Sequence, residues 1–264
     1  MSTATAASPL SRRWLAGIFA FALVLCFVQA PGLIAPDTKL DLTANPLRFL
    51  ARAANLWNSE LPFGQAQNQA YGYLFPHGAF FLVGHEIGLP GWVIQRLWWA
   101  LLLTAGCWGL LRVAEALGIG NRTSRLVAAA AFVLSPRVLT TLGSISSETL
   151  PMMLAPWVLL PVILALRARE GSQLRVLAAR SAIALALMGA VNAVASLAAC
   201  LPALIWLLCH RPNRLWWRFA AWWALASALA IAWWAGALVL LGRISPSFLD
   251  FIESSGVTTQ WTSL

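Results

Sequence analysis

Long apolar runs separated by short polar gaps make up most of this chain. The first run, 14–34, is followed by a polar and mixed stretch, 35–90, and then by further apolar runs that reach residue 241. A membrane-spanning helix needs about 20 mostly apolar residues. The pattern therefore predicts an all-α polytopic membrane protein with about seven spans. We place them at 14–34, 91–113, 124–143, 150–166, 176–190, 194–208 and 217–241.

The first apolar run has a second possible interpretation. Val28, Gln29 and Ala30 resemble the cleavage site of a signal peptide. The run continues past that site and further runs follow it, so we interpret it as an uncleaved first helix.

Charge decides how the run 176–208 is divided. It has 33 residues, too many for one ordinary span, and Asn192 near its middle suits a turn. With two helices here, 12 of the 18 basic but only 2 of the 9 acidic residues share the side of the N-terminus. A single helix would place Arg211, Arg214 and Arg218 on the opposite side of the membrane from the N-terminus, although Lys and Arg favour the cytoplasmic side. We therefore predict two helices, a cytoplasmic N-terminus and an outer loop, 35–90, on the opposite side of the membrane.

The composition excludes several classes of protein. The chain is 60% hydrophobic and 10% charged, whereas soluble domains are about 45–50% apolar and about 25% charged. A soluble enzyme and a disordered chain are therefore excluded. The net charge of +9 would indicate nucleic acid as the partner of a soluble protein. Here the Arg residues cluster in the gaps between apolar runs, so the charge reflects topology and no nucleic-acid partner is expected.

The chemistry of interest lies in the outer loop. Asp37, Lys39 and Asp41 directly follow the first helix, which places two carboxylates and an ammonium group at the membrane surface. A solvated connector has the same composition, so the residues alone leave both interpretations open. Polar groups beside a bilayer are nevertheless where the chemistry of membrane proteins concentrates.

A basic helix is predicted next. Asn45 and Pro46 favour a helix start, and Arg48, Arg52 and Asn55 share one side of 47–57, with apolar residues on much of the rest. This pattern is typical of a helix that lies in the membrane interface. It serves either as a plain anchor or as a binding site for a lipid phosphate, which the forked donors of Arg suit.

The segment 65–77 alternates amides with aromatic and small residues. Its polar and aromatic members include Gln67, Asn68, Gln69, Tyr71, Tyr73 and His77. Amides supply both donors and acceptors, and Tyr offers a flat face with a polar tip. The segment therefore suits a sugar or a polar head group, and a packed loop is the competing interpretation.

Glu148 is the remaining acidic candidate, in a short outer loop between two helices. It joins the predicted sugar or acceptor site. Arg96 and Arg137 lie within spans, where each forms either a structural ion pair or part of a functional cavity. No metal site is expected, because His85 and Glu86 lack the second histidine of a zinc helix. No cofactor is certain, and a divalent cation stays possible.

Three stretches carry a resemblance to a known family: 36–42, 56–58 and 67–76, which ends in Tyr-Gly-Tyr-Leu-Phe-Pro. They resemble the N-terminal region of mycobacterial arabinofuranosyltransferases of the AftD type. Ser135-Pro136-Arg137 and the stretch 252–256 fit the same family. The resemblance covers essentially all of this chain but a fraction of the family's length. Because 258–264 contain neither a closing helix nor a basic tail, we expect an N-terminal part of a longer protein.

The resemblance implies a fold and an activity. That family is similar to the GT-C glycosyltransferases, so we expect a GT-C-like transmembrane helical bundle with interfacial helices in the first outer loop. The implied donor is decaprenyl-phosphate arabinofuranose, a polyprenyl-phosphate sugar, and the implied acceptor is the arabinan of a cell-wall polysaccharide such as arabinogalactan or lipoarabinomannan. Asp37 matches the family's catalytic acidic residue, and Asp41 is the fallback.

The implied chemistry needs few groups. A phosphate leaves as a stable anion, so inversion at the anomeric carbon needs one general base on the acceptor hydroxyl and cationic support for the phosphate. We assign Asp37 as the base, with Lys39, Arg48 or Arg52 near the phosphate and the polyprenyl chain between helices. A transporter or flippase of a lipid-linked sugar and a non-catalytic assembly subunit stay as alternatives, and protein partners are unknown.

Overall fold

The computed structural model describes residues 11–37, 39–59, 64–66, 70–168 and 171–244. These residues form a helical bundle, which confirms the predicted fold class. The helices are α1 (Arg12–Val28), α2 (Leu40–Ala44), α3 (Pro46–Ala53), α4 (Ala79–Glu86), α5 (Gly91–Leu117), α6 (Arg122–Val133), α7 (Pro136–Leu142), α8 (Ser146–Arg167), α9 (Leu174–Ala186), α10 (Ala193–Leu208) and α11 (Arg214–Ile244). Two short strands, β1 (Trp57–Asn58) and β2 (Gln65–Ala66), pair antiparallel, and tight helical turns cover Ala70–Tyr73, Leu74–Gly78 and Gly171–Gln173.

Three of the described helices are long and apolar enough to cross a bilayer: Gly91–Leu117, Ser146–Arg167 and Arg214–Arg243. The pair α6 and α7, bent by 47°, makes a fourth. Helices α1, α9 and α10 occupy the other predicted positions but have 17, 13 and 16 residues. The seven-span topology stays a prediction.

Two predicted elements differ in the structure. The span 124–143 is not one straight helix, because Pro136 lacks the N–H that would continue the helix and the chain bends before it. The basic helix predicted over 47–57 starts at Pro46, capped by the side chain of Asn45, but ends at Ala53. The chain then leaves the helix and enters β1.

The run 176–208 breaks at the place where Asn192 stands. Helix α9 ends at Ala186 and α10 starts at Ala193, and the side-chain oxygen of Asn192 accepts a hydrogen bond of 3.1 Å from the backbone N of Ala195. Such an N-cap satisfies one of the donors that a helix start leaves unpaired. Both helices pack against α8.

Helices α5 and α8 form the centre of the bundle, and small residues let them approach closely. A Cβ on Gly109 would lie 2.7 Å from Nε1 of Trp157, so only glycine fits there. That same Nε1 donates a 2.9 Å hydrogen bond to the carbonyl of Ala105. Lipid-facing helices gain little from the hydrophobic effect, so close packing and interhelical hydrogen bonds hold them together. Helices α1 and α6 pack against α5, and helices α9 and α10 pack against α8.

Charged residues separate toward the two ends of the bundle. At one end the starts of α1 and α6 meet, where the guanidinium of Arg122 lies 4.4 Å from the ring centroid of Trp14. Arg167, at the end of α8, donates to the carbonyl of Ala116 there. Arg112, which pairs with Glu115, and Arg125, which donates to the carbonyl of Ile119, lie there too. Toward the opposite end, Asp37 bonds the start of α8, and Asp41 and Glu148 pair with Arg52 and Arg137.

The loop before α4 touches the turn between α9 and α10 through glycine backbone. The N–H of Ala190 donates to the carbonyl of Gly72 over 3.3 Å. A Cβ on Gly72 would lie 2.5 Å from the N of Val191 and 2.6 Å from the O of Ala190. The partner is backbone, which cannot rotate away, so the contact requires glycine.

We expect Gly72→Ala to lower the free energy of unfolding by about 1–3 kcal/mol, the usual cost of overpacking. Thermal unfolding of the purified protein in detergent measures this. Gly17→Ala in α1 is the matched control, since no atom lies within 4 Å of the added Cβ. Equal melting temperatures for the two variants would contradict the close backbone contact.

Candidate active site

Asp37 lies at the N-terminal end of α8. Its Oδ1 accepts a 2.9 Å hydrogen bond from the backbone N of Ser146, and its Oδ2 accepts one from the hydroxyl of the same serine. The first N–H groups of a helix point outward and carry a partial positive charge, which stabilises a carboxylate. The side chain of Asp37 is half-buried, so it is held in place and still reachable from outside.

Two side chains of α5 hold the segment that carries Asp37. Gln95, fully buried, accepts from the N of Ala35 at 2.9 Å and donates to its carbonyl at 3.1 Å. Arg96, 2% exposed, donates to the carbonyls of Gln29 and Leu33 at 3.4 and 3.2 Å. Its guanidinium also stacks 4.3 Å from the ring centroid of Trp99. The residues after α1 are thereby tied to α5 without secondary structure of their own.

His77 lies beside Asp37 in a box of aromatic rings. Its ring stacks on Trp98 at 4.7 Å and 10°, and Phe81 and Tyr73 contact it at 5.0 and 5.5 Å. Burial lowers the pKa of His77 to about 4, although the charge of Asp37 acts in the opposite direction. His77 is therefore neutral at physiological pH, and among the described residues none bonds to its Nδ1.

The two tyrosines support the loop from within. Tyr73 is buried, contacts Phe49 edge-on, and its hydroxyl lies 3.4 Å from the Oγ of Ser147. Tyr71 is buried against Trp233, and burial raises the pKa of its hydroxyl. The rings of Tyr71 and Tyr73 therefore do not face solvent. Gln67, Asn68 and Gln69 lie outside the described residues, so sugar binding by this segment stays a prediction.

Asp41 lies in a different place from Asp37. It forms a 2.5 Å ion pair with Arg52, and both side chains are substantially exposed. Together with Arg48 and Phe49 they line a hollow of about 340 Å³ between α2 and α3. The structure thus groups Asp41 with the predicted phosphate ligands Arg48 and Arg52, whereas Asp37 bonds to α8. Lys39, half-buried, lies between the two aspartates in sequence.

The second cavity is an apolar groove of about 570 Å³ between α5, α6, α7, α8 and α10, called the α8 groove below. Representative lining residues are Leu110, Phe132, Val138, Met152, Leu159 and Ala199. Arg137 and Glu148 border it and form an ion pair of 3.5 Å. Glu148 also accepts a 2.9 Å hydrogen bond from the amide of Asn192. Glu148, which borders the groove, and Ser146, which bonds Asp37, share the first turn of α8.

Sequence reasoning missed Gln95, and it singled out Arg96, Arg137 and Glu148 without identifying their partners. A charged residue within an apolar run was a signal for Arg96 and Arg137, but their partners are far along the chain. Among the described residues, no three His, Cys, Asp or Glu side chains lie close enough together to hold a metal ion.

The fold and this site define a membrane protein of the GT-C class. The solved structure of arabinofuranosyltransferase AftD from Mycobacteria matches 94% of this chain and 19% of its own, with a TM-score of 0.89 at 70% identity. A mutant form of that protein matches 95% of this chain and 20% of its own, with a TM-score of 0.89 at 69% identity. A family described as alpha-(1->3)-arabinofuranosyltransferase, N-terminal GT-C domain, matches residues 21–264, and the chain belongs to this family. The resemblance noted in the sequence is confirmed.

Two curated relatives carry the name alpha-(1->3)-arabinofuranosyltransferase. The one from Mycobacterium tuberculosis is 74% identical over 257 residues, 97% of this chain and 18% of the relative. The one from Mycolicibacterium smegmatis is 76% identical over 247 residues, 94% of this chain and 17% of the relative. This chain thus spans less than a fifth of the length of either relative.

The two hydrogen bonds between Gln95 and Ala35 can be tested by substitution. Gln95→Met keeps the length of the side chain but leaves the N–H and carbonyl of Ala35 without partners, at a cost of about 1–3 kcal/mol for each unsatisfied group. We expect hydrogen–deuterium exchange across residues 29–37 to become at least about tenfold faster. Thr104→Val, on the same helix, removes only a bond to its own helix at Ala100. Unchanged exchange in Gln95→Met would show that Gln95 does not hold the segment.

Buried neutral His77 makes stability depend on pH. The unfolded chain takes up a proton near the ordinary value of 6.5, and the folded chain only near a pKa of about 4. Between these values the unfolded state binds more protons, so stability falls as pH decreases through this window, by on the order of 3 kcal/mol. We expect His77→Phe to flatten this part of the curve of unfolding free energy against pH. His85→Phe, which replaces an exposed histidine on α4, is the control, and the two variants behaving alike would contradict the assignment.

Proposed function

We propose that this chain is the donor-binding membrane part of an α-(1→3)-arabinofuranosyltransferase. It takes arabinofuranose from decaprenyl phosphate on the periplasmic side of the plasma membrane. The sugar passes with inversion to the arabinan of a cell-wall polysaccharide, arabinogalactan or lipoarabinomannan. The names of the relatives support the transfer of arabinofuranose, and the geometry of this chain supports the remaining steps as follows.

The distribution of charge supports the sidedness. Arginines cluster where α1 and α6 start and where α5 and α8 end, and Lys and Arg are enriched on the cytoplasmic side of membrane proteins. With the arginine-rich end in the cytoplasm, the N-terminus is cytoplasmic and Asp37, Asp41 and Glu148 face the periplasm.

The α8 groove supports a lipid-linked donor. It follows α8 from Glu148 to Leu159, which corresponds to roughly 16 Å at 1.5 Å per residue. Apolar residues line most of it, and its polar groups lie beside the turn that carries Ser146. A polyprenyl chain fits such a surface, and its phosphate would then lie at the end of the groove near Asp37.

The carboxylate of Asp37 supports a single-base mechanism. The acceptor hydroxyl gives its proton to Asp37 while its oxygen attacks the anomeric carbon from the face opposite the phosphate. The bond to the phosphate oxygen breaks, and the phosphate leaves with the electron pair. Ser146 holds the carboxylate in one orientation, and Lys39, Arg48 and Arg52 supply positive charge on the same side of the membrane. The observation that carries the proposal is the bonding of Asp37 to Ser146 at the start of α8, the helix that borders the groove from Glu148 onward.

We expect Asp37→Asn to reduce arabinofuranose transfer about 10²–10⁴-fold, the usual loss when a general base is removed. The measurement is transfer from decaprenyl-phosphate arabinofuranose in membranes that contain the full chain, normalised to protein amount. Asparagine still accepts from the N of Ser146, so folding should be retained, and thermal unfolding checks this.

Asp41→Asn is the matched control, because it neutralises the neighbouring aspartate in the separate hollow. We expect it to change transfer by less than about tenfold, since Asp41 forms only an exposed ion pair. Near-normal transfer in Asp37→Asn would show that Asp37 is not the base. Loss of transfer in Asp41→Asn alone would assign the base to Asp41. Translocation of the lipid without transfer in wild-type vesicles would favour a flippase.

A further inference from the structure

A bend between two helices and a row of small side chains border the α8 groove. Pro136 bends α6 away from α7 by 47°. On the opposite wall α10 presents Ala195, Ala198 and Ala199, whose small side chains leave space. Leu139 on α7 and Leu197 on α10, at the outward faces of these walls, are exposed. The groove thus lies between walls whose outward faces are apolar, which suits a hydrocarbon chain.

Arg137 lies where this apolar groove meets polar surroundings. Its side chain is 72% exposed, and that of Glu148 is 24% exposed. A guanidinium has five N–H donors, and the described residues provide it one acceptor, Oε2 of Glu148 at 3.5 Å. The other oxygen of Glu148 accepts from Asn192, so the carboxylate is held by α10 while it orients the arginine. Donors of Arg137 thus remain for an anion at the groove end.

We propose that Arg137 binds the phosphate of an isoprenoid lipid whose chain lies in the α8 groove, and that Glu148 and Asn192 position its guanidinium. This inference deepens the proposed function and rests on it. The sequence-based prediction named Lys39, Arg48 or Arg52 for this phosphate. Arg48 and Arg52 line the smaller hollow at α2 and α3, where Arg52 already pairs with Asp41.

The location suits the chemistry at Asp37. Asp37 bonds to Ser146 and Arg137 pairs with Glu148, and both partners lie in the first turn of α8. The base and the phosphate ligand are therefore both held at the start of one helix. An arginine suits the phosphate because its donors form two parallel bonds to phosphate oxygens.

The test measures binding of farnesyl phosphate to the full chain in lipid nanodiscs, with farnesol and inorganic phosphate as separate probes. We expect Arg137→Gln to weaken farnesyl phosphate at least about tenfold and to leave farnesol unchanged, because the groove itself is intact. Arg137→Lys keeps the charge and should retain part of the affinity. Arg243→Gln, the same change of charge at the far end of α11, should bind like the wild type.

A second variant probes the groove independently of charge. Ala199→Phe fills its wall and should weaken farnesol and farnesyl phosphate alike. Equal farnesyl phosphate affinity in wild type and Arg137→Gln overturns the proposal, as does loss confined to Arg48→Gln. So does inorganic phosphate binding as tightly as the lipid, because the groove would then contribute nothing. Asp37→Asn tests only the proposed function, because we expect this variant to lose transfer while its lipid binding stays normal. The proposed function and the role of Arg137 can therefore fail separately.

Discussion

The placement of Asp37 depends on how the polypeptide after α1 satisfies its backbone hydrogen bonds at the edge of the membrane. This segment has no helix or strand to pair with, and unpaired N–H and carbonyl groups are costly there. Gln95 and Arg96, both buried on α5, supply the missing partners. The segment is thereby fixed against α5. The carboxylate that follows it is then delivered to the end of α8.

The first turn of α8 brings the rest of the polar chemistry together. Ser146 bonds Asp37, Ser147 meets Tyr73 and Glu148 meets Arg137, so three consecutive residues contact three different parts of the chain. A helix start is suited to this, since its outward N–H groups attract negative charge and its side chains spread in different directions. The inner part of the same helix borders an apolar groove. One element therefore links an aqueous carboxylate to a lipid-accessible surface.

Much of the architecture could be predicted because the rules for apolar helices are local. The apolar runs located the helices, Asn192 located the break between α9 and α10, and Asn45 and Pro46 located the start of α3. The structure bends the predicted span 124–143 near Pro136, and such a bend depends on neighbours that tolerate it. Sugar binding by Tyr71, Tyr73 and His77 was predicted from side-chain chemistry and stays a prediction. The structure buries all three, since α5 and α11 pack over that part of the loop.

Composition, hydrophobic runs and charge spacing were sufficient to establish an all-helical membrane protein, to favour one orientation and to single out the acidic stretch after the first helix. These properties follow from the cost of placing polar groups in hydrocarbon, which each residue carries wherever its neighbours are. Which aspartate meets α8, which arginine borders the groove and which side chains anchor the loop depended on contacts between residues far apart in the chain. Asp37 and Ser146 are 109 positions apart and Arg96 and Gln29 are 67. Such pairs are created by helix packing, and a single sequence carries no local signal for them.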